Sequence, residues 1–365
     1  MVELGSKMRK TIGATESSSI YLLGVCATSV LSLVLSLAFR KTDAAFAGMS
    51  VFNWVGYAVV QLAFFLTVLI YSKVRKIDEI HVAKIRKFTN WKQLILIPFI
   101  SIATILVFLP LANAWTSFLS IIGYNIVEVP MPDYSNVGIY FLSLLLMAVI
   151  PAICEELFIR GNVFSGLSTR STWFGILISA LLFSLMHANP VQTVHQFGLG
   201  IVLAIIMAMS GSILPCILLH FFNNFVSITL TAYLPQVGDW YAQLGYYNWL
   251  VGFFSVVIGL ISLVALLYLY HRFGKSEKEL QVVGQMEFDT FTIYASTDKK
   301  RNVFEDMGVF FKSLFTKQGW RNVSSALSRS NGVEYIGKQQ PMIGVWLAIA
   351  LVTVYWLYIF IAGLL

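Results

Sequence analysis

The sequence predicts an all-α, polytopic membrane protein with about eight to nine transmembrane helices. Hydrophobic residues make up 58% of the 365 residues and charged residues only 12%, which is about half the charged fraction of a soluble domain. Apolar stretches of about 20 residues recur along the chain, and each is long enough to cross about 30 Å of hydrocarbon. Several ionisable residues fall inside these stretches, and they predict a buried polar site.

Eight principal spans and a ninth at the carboxyl terminus are predicted. The first is taken as a retained span rather than a signal peptide, because no convincing small-residue cleavage site follows it. The predicted spans lie near residues 19–39, 52–72, 93–113, 138–168, 172–188, 194–210, 212–232, 249–270 and 343–365.

Loop charges predict the orientation of these spans. The loop from Lys73 to Lys92 is rich in Lys and Arg and is therefore predicted to be cytoplasmic. The next loop, through Glu128 and Asp133, carries neither residue type and is predicted to face outward. The alternation puts the amino terminus in the cytoplasm.

Four regions follow from the same pattern. Residues 1–137 hold amino-terminal transmembrane helices and the basic loop, and residues 138–270 hold the polar residues described below. Residues 271–342 form a polar cytoplasmic segment with an amphipathic piece near Val303–Phe315, which is predicted to rest on the bilayer surface. Residues 343–365 form the last span.

The net charge of +7 is typical of a membrane protein with basic cytoplasmic loops, so the expected partner is the lipid bilayer and not nucleic acid. The three cysteines lie in apolar segments and show neither metal-ligand spacing nor a disulfide pattern. Cys154, next to two glutamates, is a candidate nucleophile, but a small packing residue is the favoured interpretation.

Two adjacent glutamates, Glu155 and Glu156, end an apolar run that begins at Ile139. An ionisable group inside a membrane costs about 2.5–3.5 kcal/mol on the translocon insertion scale, so a chain that keeps several of them indicates chemistry. Glu156 and Arg160 are spaced i and i+4 and can pair on one helix face. Glu155 then faces elsewhere, and Pro151 should kink the helix just before it.

Histidines on later spans are predicted to reach the same depth. Glu155 lies sixteen residues before a turn near Ser171 and His187 sixteen residues after it, so the two arms of this hairpin bring them to one level. His220 and Asn224 are spaced i and i+4 on a later span. His195, near a loop end, is predicted to be structural.

These residues fall into three motifs. The first reads Glu155-Glu156-Leu157-Phe158-Ile159-Arg160, the second Phe183-Ser184-Leu185-Met186-His187 and the third His220-Phe221-Phe222-Asn223-Asn224. In this order and in apolar segments they resemble the EExxxR, FxxxH and HxxxN motifs of the type II CAAX prenyl protease and bacteriocin-processing family, also called the Abi or CPBP family. The resemblance covers roughly residues 138–230.

The resemblance implies a metal-independent intramembrane glutamic endopeptidase that opens toward the cytoplasm. Glu155 would be the general base that activates water, helped by His187, while His220 and Asn224 would hold the oxyanion. Glu156, Arg160 and Phe183 would support these residues. No cofactor is expected.

Three other interpretations stay open. Glu155, His187 and His220 have the ligand types of a catalytic zinc site, although the chain lacks HExxH. Intramembrane Glu, His and Arg also occur in transporters as a proton relay. A non-catalytic membrane scaffold could keep the same shape.

The expected substrate is a membrane-associated peptide or protein. A prenylated CAAX-type protein, a peptide pheromone and a bacteriocin leader all fit the resemblance. The compact size and the lack of an evident organelle signal favour a bacterial plasma membrane.

Overall fold

The computed structural model describes residues 11–85, 90–126, 130–242, 249–274, 303–331 and 340–365. Within these ranges the regular structure is helical apart from one short antiparallel β-hairpin, which confirms the predicted all-α class. The hairpin comprises β1 (Ala45–Phe46) and β2 (Met49–Ser50). The helices are α1 (Ala14–Ala38), α2 (Val51–Arg75), α3 (Glu79–Val82), α4 (Trp91–Ile121), α5 (Val137–Leu144), α6 (Ile150–Glu156), α7 (Ser165–Leu167), α8 (Thr172–Met186), α9 (Thr193–Ser210), α10 (Leu214–Tyr233), α11 (Pro235–Ala242), α12 (Trp249–Gly274), α13 (Val303–Ser313), α14 (Lys317–Asn331) and α15 (Ile343–Leu364).

Eight helical segments in the described ranges are long and apolar enough to cross a membrane, and the chain is an integral, multi-pass membrane protein. The fifth predicted span, 172–188, is shorter than expected. Its helix α8 has only 15 residues, or about 22 Å at 1.5 Å per residue, and ends where the chain turns at His187. The β1–β2 hairpin was not predicted.

The span Val137–Leu167 carries the glutamate pair and is continuous, but its winding changes twice. A π-helical turn at Leu145–Val149 precedes α6, and a π-helical segment at Leu157–Phe164 follows it. Such turns are frequently found at functional sites. The second one contains Arg160, so the looser winding sets the directions of the side chains beyond the glutamates.

The helices around this span pack at short distances. α12 lies along α4, α8 along α9, and α1 between α2 and α15. A Cβ atom at Gly200 in α9 would lie 3.0 Å from the backbone of Ala180 in α8, so a larger residue at this position would push the two helices apart by a few tenths of an ångström. The close approach brings the backbone of α9 within reach of the glutamate span.

The chain segment 77–84, which contains α3, closes the end of the molecule that carries the basic loop. It packs between the glutamate span and the start of α10. The hydroxyl of Ser165 donates to the Val82 carbonyl at 3.2 Å, and the amide of Ile213 donates to the Lys84 carbonyl at 3.3 Å. We call this end the basic end; residues 86–89 of its loop lie outside the described ranges.

The opposite end, which we call the distal end, carries the β1–β2 hairpin and the loop before α5. The indole of Trp54 donates to the Phe46 carbonyl at 3.0 Å, and the amide of Asp133 donates to the Ala47 carbonyl at 2.7 Å. Glu128, on which the outward prediction for this loop partly rests, lies outside the described ranges.

The polar segment contributes two helices. Phe310 of α13 is buried and stacks on Tyr268 of α12, with ring centroids 4.9 Å apart. The amphipathic helix α14 packs against α8 and α9, and its Ala326 and Leu327 are buried. These helices therefore cover the basic end. Residues 275–302 and 332–339 of the predicted polar segment lie outside the described ranges, and contact of α13 with the bilayer surface stays a prediction.

Candidate active site

A cavity of about 930 Å³ lies between α1, α2, α6, α10 and α15. Its wall includes Glu155, His187, His220 and Asn224, which come from three of the predicted spans. The four residues predicted to be catalytic therefore share one space. Glu156 and Arg160 do not line it.

Glu155 presents its carboxylate to this cavity while only 7% of the residue is exposed. One oxygen, Oε1, accepts a hydrogen bond of 2.7 Å from the side-chain amide of Gln61 on α2. The other oxygen, Oε2, lies 4.0 Å from Nε2 of His220. Gln61 thus fixes one carboxylate oxygen and leaves the second directed toward the histidine.

Gln61 was not identified from the sequence. It is 6% exposed, lines the cavity, and its own carbonyl oxygen is buried without a hydrogen-bond partner. The sequence feature that could have identified it is a glutamine in the middle of the apolar span 52–72. The sequence could not show which helix it faces, because 94 residues separate it from Glu155.

Glu156 and Arg160 lie behind the cavity wall, and both are fully buried. Arg160 Nη1 donates to Glu156 Oε1 at 2.8 Å, the pairing that the i, i+4 spacing predicts. Nη2 donates to the Gly200 carbonyl at 3.2 Å, and the guanidinium carbon lies 4.3 Å from the centre of the Phe183 ring. Arg160 therefore joins the glutamate span to α8 and α9.

His220 connects the two glutamates. Its Nδ1 lies 2.9 Å from Glu156 Oε1, the oxygen that Arg160 also contacts, and its Nε2 points toward Glu155. A carboxylate only accepts hydrogen bonds, so Nδ1 carries a hydrogen. Phe183 packs edge-on against the His220 ring at 5.8 Å.

His187 is held in one tautomer by the backbone. Its Nδ1 lies 2.8 Å from the carbonyl oxygen of Phe183, and the Phe183 ring packs against it at 5.0 Å. A carbonyl oxygen only accepts, so Nδ1 is the donor and the neutral ring keeps a lone pair on Nε2. His187 thus offers an acceptor at the cavity wall.

Asn224 makes a contact that its motif does not reveal. Its amide nitrogen Nδ2 donates to the carbonyl oxygen of Met147 at 3.1 Å. Pro151 follows Met147 by four residues and has no N–H for that carbonyl. Asn224 therefore satisfies a backbone acceptor next to the glutamates, and the second N–H of its amide is left for other partners.

Two further residues discussed in the sequence analysis, the candidate nucleophile Cys154 and the histidine His195, do not line the cavity. Cys154 is buried, and His195 lies in α9. Among the described residues, no group of three or more His, Cys, Asp or Glu side chains has a geometry that could hold a metal ion.

A second polar cluster supports the span from the basic end. Glu79 accepts hydrogen bonds of 2.7 Å from the hydroxyl of Ser72 and from the side-chain amide of Asn162. Burial raises the pKa of the Glu79 carboxyl, and these two hydrogen bonds oppose that change. The Ser17 hydroxyl donates to the Asn162 backbone carbonyl at 3.1 Å. This cluster fixes the helix one to two turns beyond Glu155.

The cavity lies in the distal half of the molecule. It extends from Glu155 to Ser36 on α1, Asn53 on α2 and Met131 in the loop before α5. The family resemblance implies that the active site opens toward the cytoplasm, and the loop charges predict that the basic end lies in the cytoplasm. These two expectations conflict, because the cavity runs away from the basic end.

Comparison with known proteins addresses the middle of the chain. A family model described as type II CAAX prenyl endopeptidase Rce1-like matches residues 137–226. This range contains the residues from Glu155 through Asn224 and agrees with the resemblance inferred from the three motifs. No curated protein and no solved structure matches the chain. Residues 137–226 therefore form a domain of the Rce1-like type II CAAX prenyl endopeptidase family.

Proposed function

We propose that the protein is an intramembrane endopeptidase that hydrolyses a membrane-associated peptide or protein with water activated by Glu155. The observation that carries this proposal is the position of Glu155, whose Oε2 lies in the cavity 4.0 Å from His220 Nε2 while Oε1 is held by Gln61. A fixed carboxylate that is largely buried is a suitable general base.

Water binds between Glu155 and the histidines. Glu155 removes one proton as the water oxygen bonds to the scissile carbonyl carbon, and the neutral Nε2 of His187 accepts the second hydrogen bond. The C–N bond then breaks as the leaving nitrogen receives the proton from Glu155. All atoms balance without a further reactant.

His220 and Asn224 stabilise the oxyanion. Arg160 pairs with Glu156, and His220 lies between Glu156 and Glu155. Because Nδ1 of His220 is engaged by Glu156, its Nε2 is the ring nitrogen that faces Glu155 and the cavity, and it is the proposed donor to the oxyanion. The remaining N–H of Asn224 is the second donor.

A zinc mechanism is less well supported. Glu155, His187 and His220 have the correct ligand types, but in the described residues they do not form a group that could hold a metal ion. We therefore assign no step to a metal. The residues of this chain supply the base, the acceptor and the donors by themselves.

The decisive experiment measures cleavage of lipidated peptides and leader peptides by the purified protein in detergent or liposomes. Wild type and Glu155→Gln are compared, each with and without a strong zinc chelator. Cleavage that resists the chelator and disappears in Glu155→Gln is expected. Chelator-sensitive cleavage would favour zinc, and unchanged cleavage by Glu155→Gln would contradict the proposal.

We further propose that the protein resides in a bacterial plasma membrane with its amino terminus and basic loop in the cytoplasm. The loop charges support this orientation. The prenylated CAAX-type proteins, pheromones and bacteriocin leaders expected from the resemblance remain candidate substrates for the same panel.

A further inference from the structure

The family domain supplies only part of the cavity wall. Glu155, His187, His220 and Asn224 lie within residues 137–226, the range that the family model matches. The rest of the wall comes mainly from α1, α2 and α15, which lie outside that range. The residues proposed to carry the chemistry and many of the residues that a bound substrate would touch therefore come from different parts of the chain.

The carboxyl-terminal helix α15 lines the cavity with two side chains, Val352 and Tyr355. They are spaced i and i+3, so they are neighbours on the helix surface. Val352 is only 2% exposed, whereas Val354, two residues further along, is 64% exposed. The helix thus presents Val352 to the interior and Val354 to the outside of the bundle.

Packing holds α15 in this position. Its buried residues Val345, Ala348 and Val352 follow one another at intervals of three and four residues and form one face, and the helix packs against α1 and α8. At the distal end, the backbone amide of Asn125 donates to the carbonyl oxygen of Gly363 at 2.7 Å. Contacts along its whole length therefore fix this part of the wall.

A hydrogen bond ties α15 to the turn that follows His187. The indole Nε1 of Trp356 donates to the hydroxyl oxygen of Thr193 at 2.9 Å. Thr193 begins α9, and its own hydroxyl donates to the Asn189 carbonyl of this turn at 3.2 Å. Val352 precedes Trp356 by four residues, which is about 6 Å at 1.5 Å per residue. Val352 therefore lies about one helical turn from the level of this hydrogen bond.

From these observations we infer that α15 is part of the active site, that Val352 and Tyr355 contact the bound peptide, and that Val352 limits the size of the substrate side chain lying against it. The inference rests on the proposed function and assigns two specificity-determining residues to it. A fixed, buried side chain excludes larger groups, because overfilling a packed site is costly. The chemistry then belongs to the family domain, and part of the selection among substrates belongs to the carboxyl-terminal helix.

The first test varies the size of residue 352 and of the substrate together. Val352→Ala and Val352→Phe are assayed with lipidated peptides and leader peptides that carry Ala or Phe at each of three positions on either side of the scissile bond. At one of these positions, Val352→Ala is expected to raise kcat/KM for the Phe peptide relative to the Ala peptide about tenfold, and Val352→Phe to lower it about tenfold. Ratios equal to those of wild type at every position would overturn the inference.

Val354 provides the matched control. Val354→Ala and Val354→Phe make the same changes on the exposed side of the same helix, and their ratios should equal those of wild type. Thermal unfolding in detergent measures the stability of each variant. A general loss of folded protein lowers the rate for both peptides by one factor and leaves their ratio unchanged. Equal shifts of the ratio in the Val352 and Val354 variants would contradict the inference.

Photo-crosslinking tests contact without turnover. In the Glu155→Gln protein, p-benzoylphenylalanine takes the place of Tyr355 or of Tyr358, and each protein is irradiated in detergent with the labelled peptides. Tyr358 is exposed and is not among the described residues that line the cavity. Crosslinked peptide is expected at position 355 and is expected to be lost at position 358. Equal crosslinking at both positions, or none at 355, would overturn the inference.

The outcomes separate this inference from the proposed function. If wild type cleaves the peptides while the variants of Val352 and Tyr355 behave like their controls, the inference alone is overturned. If wild type cleaves no peptide, the result counts against the proposed function. Crosslinking at position 355 and not at 358 would then still support contact between the peptide and α15.

Discussion

Nδ1 of His220 lies 2.9 Å from Oε1 of Glu156, the oxygen that also receives a hydrogen bond from Arg160. The two adjacent glutamates consequently have different surroundings. Glu156 is fully buried among its partners, whereas Glu155 faces the cavity. This difference is the basis for separating their roles by mutation.

Glu155→Gln is expected to lower the catalytic rate, and Glu156→Gln is expected to lower the stability. Glu155→Gln is expected to reduce kcat by at least about 10²-fold with little change in thermal stability, because the base is lost and Gln61 can still bond to the amide oxygen. Glu156→Gln leaves Arg160 without its carboxylate and should cost about 3–5 kcal/mol of stability. Thermal unfolding in detergent and single-turnover kinetics measure the two effects. A stable, active Glu156→Gln protein would contradict the structural role.

Gln61 is expected to position Glu155. Gln61→Met keeps the size of the side chain but removes the hydrogen bond of 2.7 Å, so kcat should fall about tenfold while KM changes little. Gln61→Glu places a second carboxylate against Glu155, and the rise of kcat/KM with pH should shift to higher pH because two such groups compete for a proton.

The control for Gln61 is Leu62→Met on the lipid-exposed side of the same helix, which should leave rate and pH profile unchanged. If Gln61→Met only lowered the unfolding temperature, without affecting kcat or the pH profile of the folded enzyme, Gln61 would be a packing residue.

Asn224 and Pro151 should be energetically coupled. Asn224→Leu leaves the Met147 carbonyl without its side-chain donor, at a cost of about 1–3 kcal/mol. Pro151→Ala restores a backbone N–H four residues after Met147 and should reduce that cost. A double-mutant cycle of unfolding free energies is expected to give about 1 kcal/mol of coupling. Additive effects would show that the proline and the asparagine act independently.

Glu79 predicts a pH dependence of stability. Its folded-state pKa lies above the ordinary value of 4.5 because the side chain is buried, so the folded protein holds this proton more tightly than the unfolded chain does. The resulting stabilisation is complete below the unfolded-state pKa and is lost as the pH rises through the folded-state pKa. Glu79→Gln should therefore unfold at a higher temperature than wild type at neutral pH.

The difference between Glu79→Gln and wild type should disappear at about pH 4, whereas Asp43→Asn, at an exposed carboxylate, should show no such trend. A Glu79→Gln protein that is less stable than wild type at neutral pH would mean that the hydrogen bonds to Ser72 and Asn162 outweigh the burial of the charge.

Local spacing predicted much of the motif geometry. The i, i+4 pairing of Glu156 with Arg160 follows from helix geometry and is present. The equal depth of Glu155 and His187 follows from counting residues across one hairpin, and both line the same cavity. The apolar segments also predicted the helices, although α8 is shorter than its apolar run suggested.

The contacts of Gln61 and Asn224 could not be predicted in the same way. Gln61 reaches Glu155 across 94 residues, and Asn224 reaches Met147 across 77. Which face of one helix meets which face of another depends on packing, on the π-helical turns around α6 and on close approaches such as Gly200 against Ala180. No local pattern encodes these directions.

The sequence by itself determined the membrane environment, the helical class and the polar residues of the three motifs. Hydrocarbon enforces long apolar segments with satisfied backbone groups, and it makes each retained charge conspicuous. Only the tertiary structure decided that Glu155 faces the cavity while Glu156 is buried, that Gln61 holds the Glu155 carboxylate, and that the cavity runs toward the distal end. These features depend on the relative rotation and approach of separate helices, which packing between distant segments sets.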